Sequence, residues 1–258
     1  MELMIYLRTV ICLKIDELFL LSGNDIPFYA GMIVIHIPTI SEISRIGEED
    51  FFKGIHFLLL DKDDLGSEDK SDLEKLSNFD IFMSVMNSKE STKHKTDALK
   101  VLGLIFPNAK PKIEKDKILL QQENIDVESS INKFNFDEFQ NYICQIFCLA
   151  SNGTKKEYDP EDGYAAKIAK KFEDRHKKLS KLQNDGEVKI NFLMKQVSIL
   201  TVGLKKDMNS LMRYSVYQLN DEFKRFRLKE NFDVYIQAKM AGASDLEEVT
   251  NWMEDIHS

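Results

Sequence analysis

Cysteine is scarce: the 258 residues carry three, Cys12, Cys144 and Cys148. An odd number of thiols argues against a disulfide framework. Cys144 and Cys148 lie one helical turn apart, half of a zinc site, but no second pair follows and His36, His56, His94, His176 and His257 are scattered. Buried reduced thiols are therefore the expectation, with no metal and no cofactor. A long apolar run is also missing. Met1 to Leu21 comes nearest, yet Arg8, Lys14, Asp16 and Glu17 interrupt it, a positive leading region is absent and no small-residue cleavage site follows. It reads as structure within a soluble intracellular protein, not as a signal peptide or a membrane span. Enzyme signatures are lacking as well: no Walker loop, no Gly-x-Gly-x-x-Gly, no Gly-x-Ser-x-Gly and no His-Glu-x-x-His. Carboxylates such as Asp25, Glu42, Glu48 and Glu49 can pair, but any acidic chain offers such pairs by chance, so a non-enzyme is expected. Positive charge is in deficit, with 35 Lys+Arg against 43 Asp+Glu and a net charge of −8. That disfavours wrapping nucleic acid through phosphate neutralisation. Internal repeats and low-complexity tracts are absent too.

What is present is 43% apolar residues over a length suited to one large domain or two small ones. The pattern predicts an α+β fold, mainly α-helical, with a small N-terminal and mid-chain β element followed by a helical C-terminal region. After the turn-rich Ser22 to Asp25, Gly31 to Ile37 is dense in β-branched residues and reads as a buried strand closed by Pro38. Thr39-Ile40-Ser41-Glu42 has the form of a capping box, starting a helix from Ile40 to about Gly47, with another over Glu48 to Leu60. Further helices are expected at Phe79–Met86, Thr96–Phe106 and Asn135–Leu149, with a short hairpin between Pro111 and Ile125. Residues 151–163 read as a linker, dividing a mixed domain, 1–150, from a helical region, 164–258. In that region helices are predicted over Lys167–Leu182, Ile190–Leu204 and Leu211–Ala241. A second capping box, Ser244 to Glu247, starts a terminal helix through Trp252 and Ile256.

Three stretches suggest binding. Asp61, Asp63, Gly66, Asp69 and Asp72 mimic the spacing of a calcium loop, but Leu65 sits where an oxygen ligand is needed and Asp72 is too short for the bidentate position. A solvated acidic loop is the better reading. The basic helix carrying Lys170, Lys171, Arg175 and Lys178 suits an acidic protein surface or a phosphate backbone, or is simply solvated; Phe172 is the lone aromatic available for base stacking. The predicted Leu211–Ala241 helix has more apolar residues than one core-facing stripe needs. Either it is buried on several sides, or Phe223, Phe226, Tyr235, Met240 and Trp252 form a partner-binding surface.

Several phrases occur together: Pro38-Thr39-Ile40-Ser41-Glu42-Ile43, Ile46-Gly47-Glu48-Glu49-Asp50-Phe51-Phe52, Leu104-Ile105-Phe106-Pro107 and Asn135-Phe136-Asp137-Glu138-Phe139. Tyr217 to Phe226, Tyr235 to Ala243 and Val249 to Ile256 continue the set. Over roughly residues 16 to 258 the chain resembles the tail assembly chaperones of phages and prophages of low-GC Gram-positive bacteria. The resemblance implies a factor of the host cytoplasm that binds the tape measure protein, keeps it soluble, helps recruit the major tail (tube) protein and is then displaced. It brings no catalytic residues. Self-association is compatible with it, and membrane contact is not expected. A structural tail or connector protein kept in the virion has a similar composition and is the main alternative; a regulatory phage protein binding DNA through the basic helix is the third.

Overall fold

The computed structural model describes residues 14–29, 33–60, 76–88, 92–122, 129–149, 192–243, 249 and 251–253. The fold is α+β and mainly α-helical, with two small antiparallel sheets among the described residues. The order is α1 (Glu17–Ser22), β1 (Ile26–Phe28), β2 (Ile33–Ile35), α2 (Ile40–Ile46), α3 (Glu48–Leu58), α4 (Asn78–Asn87) and α5 (Thr92–Ile105). Then come β3 (Ala109–Ile113), β4 (Ile118–Gln122), β5 (Ser129–Ile131), α6 (Phe136–Ile146), α7 (Phe192–Leu204), α8 (Met208–Met212) and α9 (Val216–Met240).

Side-chain capping fixes where the helices begin. The Thr39 hydroxyl accepts from the Glu42 amide while the Glu42 carboxylate accepts from the Thr39 amide, so α2 starts on the box read from the sequence. Ser77 with Asp80 does the same for α4, and Ser215 with Gln218 for α9. That last box cuts the helix expected over Leu211–Ala241. Arg213 and Tyr214 turn the chain between α8 and α9, because Ser215 takes extended backbone to cap α9. The terminal helix also needs correction. Trp252 and Met253 lie in a turn, where the Met253 amide donates to Asn251 Oδ1 at 3.0 Å and so uses an amide that a helix would need.

The hairpin β1/β2 pairs Ile26 with Ile35 and Phe28 with Ile33, turning all four side chains inward while Pro27 and Val34 face out. Beta structure in the middle of the chain goes beyond a hairpin: β4 pairs with β3 and also with β5, Ile118 opposite Ile131. Aromatic contacts tie the β1/β2 hairpin to α6 and link the helices to one another. Phe28 meets the Tyr142 ring edge-on at 5.4 Å, Phe136 meets Phe79 at 5.2 Å, and Phe51 meets Phe147 at 5.2 Å. Buried Gln140 is fully used: its amide donates to the carbonyls of Leu58 and Leu60 at the end of α3, and its oxygen accepts from Asn78. The same core runs on through Leu193, Val197 and Leu200 of α7, Leu211 of α8 and Val216 and Leu219 of α9. The expected linker, 151–163, lies outside the described residues, as do the acidic loop at 61–72, Cys12 and the Ser244 to Glu247 box. Cys144 is buried and free as expected, whereas Cys148, in left-handed backbone where the chain leaves α6, is free but exposed.

Helix α3 packs along α5 at close range through Gly54. A Cβ there would sit 2.5 Å from Val101 Cγ2 and 2.6 Å from the Asp97 carbonyl, whereas one at Gly103 of α5 would meet nothing within 4 Å. Gly54→Ala is therefore expected to cost about 2–3 kcal/mol through forced separation of the helices, and Gly103→Ala to add roughly 0.5–1 kcal/mol by restricting the unfolded chain. Urea unfolding of both variants checks this; equal effects at the two sites would refute the close crossing.

The caps also set an acid dependence. Burial pushes the Glu42 carboxyl up, but the Thr39 amide and hydroxyl and the nearby His36 outweigh it and hold the group below its ordinary 4.5. Hydrogen bonds from the Ser77 hydroxyl and amide likewise hold Asp80 below 3.8. A lowered folded pKa contributes stability that is full above the unfolded value and is lost as pH falls through the folded one. Glu42→Gln should accordingly flatten the fall in urea midpoint between about pH 6 and about pH 3. An unchanged slope would show that the box carries no linkage.

Candidate partner-binding surface

The C-terminal helices are fastened to the rest of the chain by polar contacts of long sequence range. Glu48, in the first turn of α3, turns its carboxylate onto the start of α7, accepting from the Leu193 amide at 2.6 Å and the Met194 amide at 3.4 Å. A carboxylate there satisfies amides that a helix start leaves open and complements its dipole. The Ile40 amide donates to the Tyr214 carbonyl at 2.8 Å beside an antiparallel bridge between Thr39 and Ser215. Gln218 Nε2 reaches the Leu21 carbonyl at 2.7 Å, so the start of α9 also holds the end of α1. Lys206 is drawn between the Glu222 carboxylate and the Tyr214 hydroxyl; burial lowers its pKa, but these two partners outweigh that and raise it.

From this root α9 emerges with little cover. Its buried residues are Val216, Tyr217 and Leu219, all in the first turns. Phe223 and Phe226 continue that stripe and pack partly against the core; a Cβ at Gly203 of α7 would lie 2.4 Å from the Phe226 ring, so the missing side chain lets the ring sit on the helix. Farther along, Val234 is 64% and Met240 84% exposed. Tyr235 is half-buried, with the Lys239 ammonium 5.3 Å from its ring centre. Trp252 is half-buried, and its carbonyl accepts from Arg225 Nη1 at 2.9 Å, which lays the residues after α9 back against it. The five residues singled out by sequence thus divide. Phe223 and Phe226 face α7, Tyr235 and Met240 lie toward the far end of α9, and Trp252 sits near its middle. Lys170, Lys171, Arg175 and Lys178 lie outside the described residues.

Sequence reasoning missed the other wall. Phe192, Lys195, Gln196 and Ile199 of α7 and Phe223 and Arg227 of α9 line an apolar groove of about 460 Å³. Gln196 is 2% exposed, and its Oε1 accepts no hydrogen bond. Only the docking of the two helices brings these residues together, so spacing along the chain gives no sign of them. Met194 and Val202 of α7 are exposed as well. A second cleft, about 620 Å³, opens between the hairpin and β3, with His36 on its wall. His36 Nδ1 is 2.8 Å from Asp25 and Nε2 is 3.4 Å from Glu42, a bridge that ties the hairpin to α2. Among its described lining residues there is no Ser, Thr or Cys to act as a nucleophile. Among the described residues no cluster of three His, Cys, Asp or Glu side chains is placed to hold a metal, and no helix is long and apolar enough to cross a membrane.

Exposed apolar side chains thus gather on α7 and the outer turns of α9. Residues 183–257 match the family model described as the YomV second domain, a phage-associated family, which supports a phage protein. No curated protein and no solved structure matches the chain.

Glu48 gives the test of this attachment. Glu48→Ala should cost about 1–2 kcal/mol by uncapping α7, against less than about 0.5 kcal/mol for Glu49→Ala, whose exposed carboxylate pairs with Lys53 one turn on. Equal losses in thermal or urea unfolding would count against the Glu48 cap.

Proposed function

We propose that the protein is a phage tail assembly chaperone that acts by binding, without catalysis. Its C-terminal helices bind the tape measure protein, keep that long helical chain soluble in the host cytoplasm, and help bring tail-tube protein to it. One coincidence carries this reading. The stretch that matches a phage-associated family, 183–257, contains eight of the fourteen exposed large hydrophobic residues among the described part of the chain: Phe192, Met194, Val202, Met208, Val234, Ile236, Met240 and Met253. Side chains of this kind, four of them methionine, adapt to an irregular apolar stripe. They also release it when a competing surface polymerises around the client, because each contact is individually weak. The acidic balance of the chain, −8, keeps a protein with so much open apolar surface dispersed.

Co-expression with the tape measure protein tests the reading. The wild-type chain should keep the tape measure protein in the soluble fraction, and Val234→Glu with Met240→Glu should lower that fraction several-fold while the melting temperature stays put, since both residues are exposed. A tape measure protein that is insoluble with or without this chain would overturn the proposal. Stoichiometric retention of the chain in purified particles would instead favour a structural tail component.

A further inference from the structure

The groove between α7 and α9 has a chemical character that narrows its occupant. Its floor is apolar, formed by Phe192, Ile199 and Phe223, and its rim carries two cations, Lys195 and Arg227. Among the described residues neither cation has a carboxylate partner within ion-pair distance, although the chain as a whole has 43 acidic side chains against 35 basic ones. Arg227 lies over the Phe223 ring at 6.0 Å, a contact that holds the guanidinium beside the groove while leaving its N–H fork open. Gln196 lines the groove as well, and its buried Oε1 accepts no hydrogen bond.

We propose that the groove between α7 and α9 receives an amphipathic helix of a partner protein whose apolar ridge is flanked by carboxylates, which pair with Lys195 and Arg227. This rests on reading the C-terminal helices as a partner surface, and it deepens that reading by naming the charge of the docking segment. An apolar ridge fills the floor, and one glutamate or aspartate on either side meets a rim cation. The local sign opposes the global one. A chain of net charge −8 attracts a basic helix at long range, so a preference for an acidic helix has to come from a local basic patch such as this rim.

Two synthetic helices of about 20 residues, long enough to fold on docking, make the probe: one has a leucine stripe flanked by glutamates, the other the same stripe flanked by lysines. Titrated into the full chain at low salt, the glutamate form should bind roughly tenfold more tightly than the lysine form, as two new charge pairs at a partly desolvated rim allow. The double variant Lys195→Glu with Arg227→Glu alters two exposed side chains and should reverse the preference while leaving the melting temperature unchanged. Equal affinity for the two peptides, binding of neither, or a preference unaltered in the double variant overturns the proposal. So does a concentration-dependent dimer of the chain that the double variant abolishes, because the groove then serves a second copy. The outcomes separate this inference from the chaperone reading. If the double variant leaves solubilisation of the tape measure protein and the peptide preference untouched, the groove assignment fails while the chaperone reading stands; if the peptide preference reverses but no tape measure protein is kept soluble, the groove stands and the chaperone reading fails.

Discussion

Two helix starts far apart in the sequence meet at Thr39 and Ser215. Each residue caps its own helix with a side-chain oxygen, each is answered by the side chain three residues on, and their backbones form an antiparallel bridge with the Ile40 amide on the Tyr214 carbonyl. Capping leaves both residues in extended backbone, which is what lets two helix N-termini pair as if they were strands. The joint does more than satisfy amides. Because Gln218 holds the Ser215 amide with its oxygen and the Leu21 carbonyl with its nitrogen, one side chain sets the start of α9 and the end of α1 together. Gly23 just beyond has φ of 68°, and a Cβ there would approach Gln218 Nε2 to 3.1 Å, so a left-handed glycine suits that junction on both counts.

A helix fixed at one end is a natural way to present a surface. The 25 residues of α9 extend for about 37 Å. The first turns are sunk in the core, the next are braced by α7 through Gly203 and Phe226, and farther out Val234, Ile236 and Met240 are exposed. Glu48 fixes α7 to the N-terminal elements in the same manner, across 145 residues of chain. The apolar side chains left outside are costly to keep in water unless something covers them.

Much of this was legible in the sequence, and the failures have physical causes. Thr39-x-x-Glu42 announced α2, and Gly47 separated it from α3, because capping is local chemistry that spacing reveals. Ser215-x-x-Gln218 carries the same signal, but it is embedded in a run of apolar residues whose periodicity bridges the break and suggests one long helix. The strand Ile26–Phe28 is three residues long with a proline in the middle, too short for an alternating pattern to register. At Trp252 an asparagine side chain took an amide that a helix would have used, a competition that propensity does not resolve. The candidate surface was half legible. An excess of apolar residues on α9 showed in the sequence, whereas Lys195, Gln196 and Arg227 become neighbours only when α7 lies against α9, and no spacing rule encodes that.

Site-resolved amide hydrogen exchange of the full chain, alone and with the tape measure protein, most directly tests the proposal that α9 is rooted at Ser215 and offers its outer turns to that protein. The expected result is that amides at the root, following Ser215, are as protected as those of the core helices before the tape measure protein is added, and that its addition adds protection over α7 and the outer turns of α9 alone. Added protection centred on the cleft beside His36, or a root that exchanges as fast as the free end of α9, would contradict it.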